Sequence, residues 1–295
     1  MELCRGIIPA ILTPFTASED INFPELRRHV RRMLDAGVHG IFCLGTNGEF
    51  YALSEEEKYQ VVEAVVDEVN GQVPVYAGSG EIATRTVIRL TKQFQKLGAD
   101  AVSIVTPYFI NPSQHELYHH YRRIAEAVDL PIILYNIPMR THVNLEPETV
   151  AALARDLTNI VGIKDSSGDL QLTKAYIEQS PQDFAVMGGN DGLILDTLLL
   201  GGTGAIAATA NVIPDILLNI YNAYSAGDLE TARKWQERVA PLRQDFKLGT
   251  SPGVIKVQAG LCSFDVGPSR GPIRYDDPEV IARIKDNIKR NYNLG

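Results

Sequence analysis

The stretch IILYNIPMRTHVNLEPETVAALARDLTNIVGIK, residues 132–164, decides the fold. It begins and ends with short apolar runs, at 132–135 and 160–164, and the segment between them has helical periodicity. Two apolar strands separated by one helix form a parallel strand-helix-strand unit. The stretch therefore predicts a parallel sheet that is covered by helices.

The same alternation runs along most of the chain. Eight short runs rich in Ile, Val and Ala are each followed by a plausible helix, and the predicted strands are 7–12, 40–44, 73–77, 101–105, 132–135, 160–164, 184–187 and 204–208. Eight such units in about 225 residues favour a closed barrel, because barrels of this type take roughly 250 residues. An open doubly wound sheet is the alternative.

The helix boundaries and the end of the chain complete this prediction. Ser54 with Glu57, and Ser113 with Glu116, have the spacing of capping boxes and predict two helix starts. We expect residues 1–226 to form an α/β catalytic domain, a (β/α)8 TIM barrel. Residues 227–295 are expected to form a C-terminal helical extension, with helical periodicity at 229–248 and 278–292.

Composition excludes several classes of protein. With 28 basic and 36 acidic side chains the net charge is -8, so a nucleic-acid backbone would be repelled. The three cysteines, Cys4, Cys43 and Cys262, are far apart and form no C-x-x-C pair, which indicates a reducing, cytoplasmic environment. No apolar run is long enough to span a membrane. We therefore expect no nucleic-acid and no membrane partner.

Lys164 is the sharpest candidate for catalysis. In a barrel the active site lies at the C-terminal ends of the strands, and Lys164 ends the predicted sixth strand. Burial there would favour a neutral amine, which can attack a carbonyl group. Tyr135 ends the neighbouring strand and could transfer protons. The structural alternatives are a lysine paired with Asp165 or solvated at the rim, and a tyrosine that is simply buried and hydrogen-bonded.

The loop Gly45-Thr46-Asn47-Gly48-Glu49 is the second candidate feature. It follows the second predicted strand, and its backbone N–H groups could converge on a small anion such as a carboxylate. The Thr46 hydroxyl could add a further hydrogen bond. The alternative is that the glycines only permit a tight turn.

These residues belong to a set of segments that appear in a particular order. The segments are Gly45-Thr-Asn-Gly-Glu49, Thr106-Pro-Tyr-Phe109, Tyr135-Asn-Ile-Pro138, Gly162-Ile-Lys-Asp165 and Gly201-Gly-Thr-Gly204, the last followed by Ala-Ile206. In this order and spacing the chain resembles the dihydrodipicolinate synthase and N-acetylneuraminate lyase family of class I pyruvate lyases. The resemblance covers nearly the whole chain.

The resemblance implies roles for individual residues. Lys164 would be the Schiff-base nucleophile and Tyr135 the proton relay, while Thr46 would extend the relay and bind the keto-acid carboxylate together with the amide of Asn47. The other residues that it places at the substrate site are Tyr108, Phe109, Arg140, Gly189 and Ile206. It further implies a keto acid and an aldehyde as small-molecule partners, no cofactor, and a homotetramer built as a dimer of dimers.

Two positions depart from the synthase pattern and one agrees with it. Asn47 stands where the synthases have threonine, and Phe109 stands where they have a tyrosine that crosses the dimer interface. Arg140 matches the arginine that receives the carboxylate of aspartate semialdehyde, and a guanidinium suits that group. We expect a dihydrodipicolinate synthase-like condensation of pyruvate with an aldehyde. The alternatives are cleavage of a 2-keto-3-deoxy sugar acid or of N-acetylneuraminate, and a non-catalytic keto-acid sensor.

Two further motifs suggest other chemistry. His115-Glu-Leu-Tyr-His119 fits the zinc motif H-E-x-x-H, but no third ligand is evident and a solvated helix face explains it more simply. Gly78-Ser-Gly-Glu-Ile-Ala83 resembles a dinucleotide-binding turn, yet it falls on the third strand-helix unit instead of the first. We expect neither a metal nor a nucleotide.

Overall fold

A computed structural model describes residues 3–262 and 264–292 of the chain. Its strands begin and end within three residues of the predicted ones. They are β1 (Gly6–Pro9), β2 (Ile41–Cys43), β3 (Val75–Gly78), β4 (Ala101–Val105), β5 (Ile132–Asn136), β6 (Ile160–Asp165), β7 (Ala185–Gly188) and β8 (Gly204–Ala207).

The eight strands form a parallel barrel. Each strand from β2 to β7 pairs with the next one along the chain, and β8 pairs with β1. The ring closes between β1 and β2, where the His39 N–H donates to the Ile7 carbonyl and the Ile11 N–H donates to the Phe42 carbonyl, both at 2.9 Å. The (β/α)8 prediction is therefore confirmed, and the open doubly wound sheet is excluded.

Helices cover the outside of the barrel. Both capping boxes are present, with the Ser54 and Ser113 hydroxyls accepting from the backbone of Glu57 and Glu116. The barrel-side helices are α1 (Phe23–Ala36), α2 (Glu55–Val69), α3 (Thr84–Lys96), α4 (Gln114–Ala125), a short α5 (Pro138–Thr141), α6 (Pro147–Asp156), α7 (Leu170–Gln179), α8 (Ile194–Leu199) and α9 (Pro214–Ser225).

The C-terminal part is helical but more divided than predicted. The helices are α10 (Leu229–Glu237), α11 (Ala240–Gln244), α12 (Ser251–Leu261) and α13 (Pro278–Asn291). The predicted segment 229–248 breaks after Glu237, because Pro241 has no N–H to donate to the carbonyl four residues earlier. Helix α12 was not anticipated. The division at 226 into a catalytic barrel and an accessory extension stays a prediction.

Apolar side chains fill two regions. One cluster fills the inside of the barrel and includes Phe42, Ile133, Met187 and Ile206, and a larger one lies between strands and helices. The barrel interior is thus packed below its mouth, and the chemistry-bearing side chains lie at the mouth.

Among the described residues no helix combines the length and apolar character needed to cross a membrane.

Candidate active site

Lys164 and Tyr135 are neighbours at the C-terminal ends of β6 and β5. The strand register pairs them directly, and both side chains are buried. The Lys164 amine lies 4.2 Å from the centroid of the Tyr135 ring and 5.2 Å from that of the Phe42 ring. Two aromatic faces therefore enclose the amine.

Asp165 does not pair with Lys164. Its carboxylate accepts hydrogen bonds from the Ser167 N–H and hydroxyl, at 3.0 and 2.9 Å. It also accepts from the Thr173 hydroxyl at 2.7 Å and from the Asn136 side-chain amide at 3.2 Å. Asp165 thus fixes the turn after β6, which excludes the reading of Lys164 as a lysine paired with its neighbour.

Lys164 also differs from the other buried lysines of the described chain. Lys58 and Lys256 are buried to a similar degree, and each forms an ion pair with a glutamate. Within residues 3–262 and 264–292, no carboxylate lies within 4 Å of the Lys164 amine. A buried amine that is not tied to a counter-charge is what nucleophilic attack on a carbonyl requires.

Thr46 lies where two cavities meet at the barrel mouth. It lines a small inner cavity together with Phe42, Ser103 and Tyr135, so the relay residues implied by the resemblance share one wall. It also lines an outer cavity of about 310 Å³. That volume lies at the lower end of the range of about 300–1,000 Å³ for small-molecule sites.

The outer cavity contains two of the predicted substrate residues. Tyr108 and Arg140 line it, and Arg140 lies on α5, directly after β5. The Tyr108 hydroxyl donates to Glu81 at 3.3 Å, and burial together with that carboxylate raises the pKa of Tyr108 to about 12. The Tyr108 hydroxyl therefore stays protonated and donates its hydrogen bond to the Glu81 carboxylate. The full lining is Thr46, Phe50, Tyr51, Val105, Tyr108, Ile137, Arg140, Thr141, Thr250, Pro252 and Ile273.

The remaining predicted residues lie at different distances from this centre. A side chain on Gly189 would come 3.1 Å from Cε of Lys164, so glycine leaves room beside the nucleophile. Ile206 is buried inside the barrel in the cluster that contains Phe42. Phe109 lies outside the cavity, with its side chain 93% exposed and a φ of 73°. In the single chain, Phe109 therefore does not line the site.

The side chain of Asn47 contacts the C-terminal helices and does not line either cavity. Its side chain is buried, and its carboxamide oxygen accepts a hydrogen bond of 3.1 Å from the Ser251 hydroxyl at the start of α12. The side chain is thus committed to the C-terminal helices. The backbone amide of Asn47 remains the part of this residue that could bind a carboxylate.

Sequence reasoning missed several residues of the site. Ser103 lines the inner cavity, and its buried hydroxyl has no hydrogen-bond partner among the described residues. Its position two residues before Val105 in β4 directs it into the barrel, so strand alternation could have revealed it. Thr250 and Pro252 lie about 110 residues beyond Arg140 in the chain, and no local pattern marks them.

The H-E-x-x-H motif has a structural role at the start of α4. Glu116 caps α4, and the His115 and His119 rings contact each other with centroids 4.4 Å apart. Within the described residues, no group of three or more His, Cys, Asp or Glu side chains could hold a metal ion.

A larger cavity of about 890 Å³ lies beside α12, but none of the predicted site residues lines it.

Comparison with known proteins finds relatives that match nearly the whole chain. Residues 3–290 match the model of the dihydrodipicolinate synthetase family. A 4-hydroxy-tetrahydrodipicolinate synthase of Methanopyrus kandleri is 44% identical over 283 residues, covering 95% of this chain and 94% of the relative. The crystal structure of dihydrodipicolinate synthase from Thermotoga maritima is 35% identical, with a TM-score of 0.95 and coverage of 98% and 99%. YagE, an E. coli K12 prophage protein solved in complex with pyruvate, is 32% identical, with a TM-score of 0.96 and complete coverage of both chains.

Proposed function

The chain belongs to the dihydrodipicolinate synthetase family and is a carbon–carbon lyase of the class I aldolase type, and we propose that it binds pyruvate as a Schiff base on Lys164. The reaction that fits best is the condensation of this pyruvate with an aldehyde, as in the 4-hydroxy-tetrahydrodipicolinate synthases that it resembles. The observation that carries the proposal is the Lys164 amine, which is buried against Tyr135 and has no carboxylate partner among the described residues.

The surroundings of the amine define the steps. The Lys164 amine attacks the keto carbon of pyruvate, and the resulting carbinolamine loses water to give an iminium ion. Tyr135 delivers the proton with which the hydroxyl leaves as water. Loss of a proton from the methyl group then gives an enamine, whose carbon attacks the aldehyde. Hydrolysis of the product imine regenerates the free lysine.

The two ends of the site hold different parts of the substrates. The backbone amides of Thr46 and Asn47 bind the pyruvate carboxylate, and the Thr46 hydroxyl extends the relay from Tyr135. Arg140, at the outer cavity, receives the carboxylate of the second substrate. The position of Arg140 in the outer cavity supports this assignment, because Thr46 lines both the outer and the inner cavity. Gly189 and Ile206 bound the pyruvate side.

Phe109 supports an assembly of several subunits. Its side chain is 93% exposed. The apolar side chains of Ile110, the next residue, and of Met139, the residue before Arg140, are also exposed. Aromatic side chains and methionine are enriched in protein–protein interfaces relative to the rest of the surface. We therefore propose a homotetramer in which Phe109 contacts a second subunit. The three free cysteines support a cytoplasmic location.

Borohydride reduction in the presence of pyruvate tests the proposal. Intact-mass measurement should show one reduced-pyruvate adduct, and peptide mapping should place it on Lys164. The other buried lysines, Lys58 and Lys256, are internal controls, because their amines are paired with glutamates and should stay unmodified. Lys164→Ala should give no adduct.

A second arm of the experiment identifies the reaction. Consumption of aspartate semialdehyde with pyruvate would support the synthase-like condensation, whereas release of pyruvate from a 2-keto-3-deoxy sugar acid or from N-acetylneuraminate would replace it by a cleavage. An adduct on Lys164 without turnover of any aldehyde would indicate a keto-acid sensor. Absence of an adduct would refute the Schiff-base proposal.

A further inference from the structure

The loop that follows β2 carries backbone strain at both ends. Leu44 has a φ of 58° and Glu49 a φ of 56°, and these residues bracket Gly45-Thr-Asn-Gly48. Left-handed backbone is unfavourable for residues with a Cβ, and it persists only where the surrounding structure enforces it. Some contact must therefore hold this loop, which contains the proposed carboxylate-binding amides.

Glu49 supplies such a contact through its side chain. The side chain is fully buried, and its Oε1 lies 2.7 Å from the Lys256 amine on α12. Its Oε2 accepts a hydrogen bond of 3.0 Å from the backbone N–H of Arg270. Both carboxylate oxygens are thus engaged by the C-terminal part of the chain.

Lys256 is fixed as firmly as Glu49. Its side chain is buried, and its amine donates to the Pro268 carbonyl at 2.8 Å and lies 4.2 Å from the centroid of the Phe15 ring. Burial lowers the pKa of Lys256, and the Glu49 carboxylate opposes that shift. The amine is therefore held by three neighbours on separate parts of the chain.

Two weaker contacts act on the same loop. The Ser251 hydroxyl, on the same helix as Lys256, donates to the Asn47 side chain at 3.1 Å. From the barrel side, the Thr13 hydroxyl donates to the Gly48 carbonyl at 2.7 Å. Of these contacts, the ion pair is the one in which both partners are charged and almost entirely removed from water.

We propose that the Glu49–Lys256 ion pair positions the loop 44–49, here called the keto-acid loop, so that the amides of Thr46 and Asn47 point at the carboxylate of the bound keto acid. The inference rests on the proposed function, because it assigns the loop to pyruvate. Glu49 and Lys256 are positioning residues that touch neither substrate nor the reacting atoms. Stability alone gives no reason for the pair, since a buried ion pair is often no more stabilising than apolar side chains of equal volume.

Pyruvate trapping at graded concentrations tests this role. The Glu49→Gln/Lys256→Met double variant removes both charges at once, so it leaves no unpaired buried charge and should fold. We expect the pyruvate concentration that half-saturates the borohydride-trapped adduct to rise roughly tenfold or more, because misplaced binding groups weaken reactive binding. The thermal midpoint should stay close to that of the wild type. If the double variant does not fold, Glu49→Asp is measured in the same way, because it keeps both buried charges and only shortens the side chain that reaches Lys256.

Gln258→Met is the matched control on the same helix. The buried Gln258 amide donates to the Leu242 carbonyl at 2.8 Å and to Asp245 at 3.0 Å, and it does not contact the loop. This variant should lower the thermal midpoint and leave the half-saturating pyruvate concentration unchanged. A wild-type half-saturation in the double variant would overturn the positioning role while leaving the Schiff base intact. No adduct in the wild type would overturn both proposals.

Discussion

Tyr135 presents its ring to the Lys164 amine and lines the inner cavity with Thr46. The ring and the hydroxyl have separate tasks in the proposed mechanism. The ring, together with Phe42, encloses the amine, and the hydroxyl is proposed to transfer protons during formation and breakdown of the carbinolamine. These two tasks can be separated by a substitution that removes only the oxygen.

Tyr135→Phe should slow formation of the Schiff base by about 100-fold or more, which is typical of removing a general acid. The ring remains, so the unfolding free energy should change little. The rate is measured by quenching the pyruvate reaction with borohydride at increasing times. Tyr121→Phe is the control, because the buried Tyr121 hydroxyl donates to the Ile104 carbonyl away from the site. Equal rates for wild type and Tyr135→Phe would remove Tyr135 from the relay.

At the scale of elements, the helices begin where short local signals specify them. The Ser113 hydroxyl accepts from the Glu116 N–H, and the Glu116 carboxylate accepts from the Ser113 N–H at 2.8 Å. Helix α4 starts here, and its Tyr121 hydroxyl donates to the Ile104 carbonyl of β4, the strand that carries Ser103 and Val105. We expect this cap to affect the unfolding free energy and not the chemistry of the site.

Ser113→Ala should lower the unfolding free energy by about 1 kcal/mol, because one helix-terminal N–H loses its acceptor. Chemical denaturation followed by circular dichroism measures this difference. Ser180→Ala is a matched control, since the Ser180 hydroxyl has no hydrogen-bond partner within the described residues. A loss in Ser180→Ala as large as that in Ser113→Ala would show that the cap is not the cause.

For the whole molecule, acid stability depends on two buried imidazoles. His29 is fully buried with its Nε2 2.7 Å from the Asn211 carboxamide oxygen, and His120 contacts the Thr84 hydroxyl at 2.9 Å. Burial lowers the pKa of His29 to about 3 and that of His120 to about 4. Both imidazoles are therefore neutral in the folded protein at pH values where an unfolded chain would protonate them.

The unfolding free energy should fall as the pH decreases from about 6.5 towards 4. In this window the unfolded chain binds more protons than the native chain, and each such proton contributes a slope of about 1.4 kcal/mol per pH unit. Urea denaturation at a series of pH values measures the slope. His120→Gln should make it shallower, whereas His119→Gln, on the exposed face of the same helix, should not. An unchanged slope in His120→Gln would exclude this histidine as a source.

The sequence by itself determined the barrel and indicated the candidate nucleophile. Eight apolar runs at regular spacing predicted all eight strands, because burial on both faces demands continuous Ile, Val and Ala. The rule that barrel sites lie at strand C-termini then singled out Lys164 and Tyr135, which the register places side by side. These signals are local, so they can be recognised without knowledge of the rest of the chain.

Only the tertiary structure decided which groups surround Lys164 and the loop after β2. Lys58, Lys164 and Lys256 are all buried, and the lack of a carboxylate partner at Lys164 within the described part of the chain became visible only when distant segments were in place. The proposed support of the keto-acid loop joins Glu49 to a residue more than 200 positions away, and the hydrogen bond between Asn47 and Ser251 spans 204 positions. Contacts of this kind depend on how helices pack onto the barrel mouth, and short sequence patterns do not encode that packing.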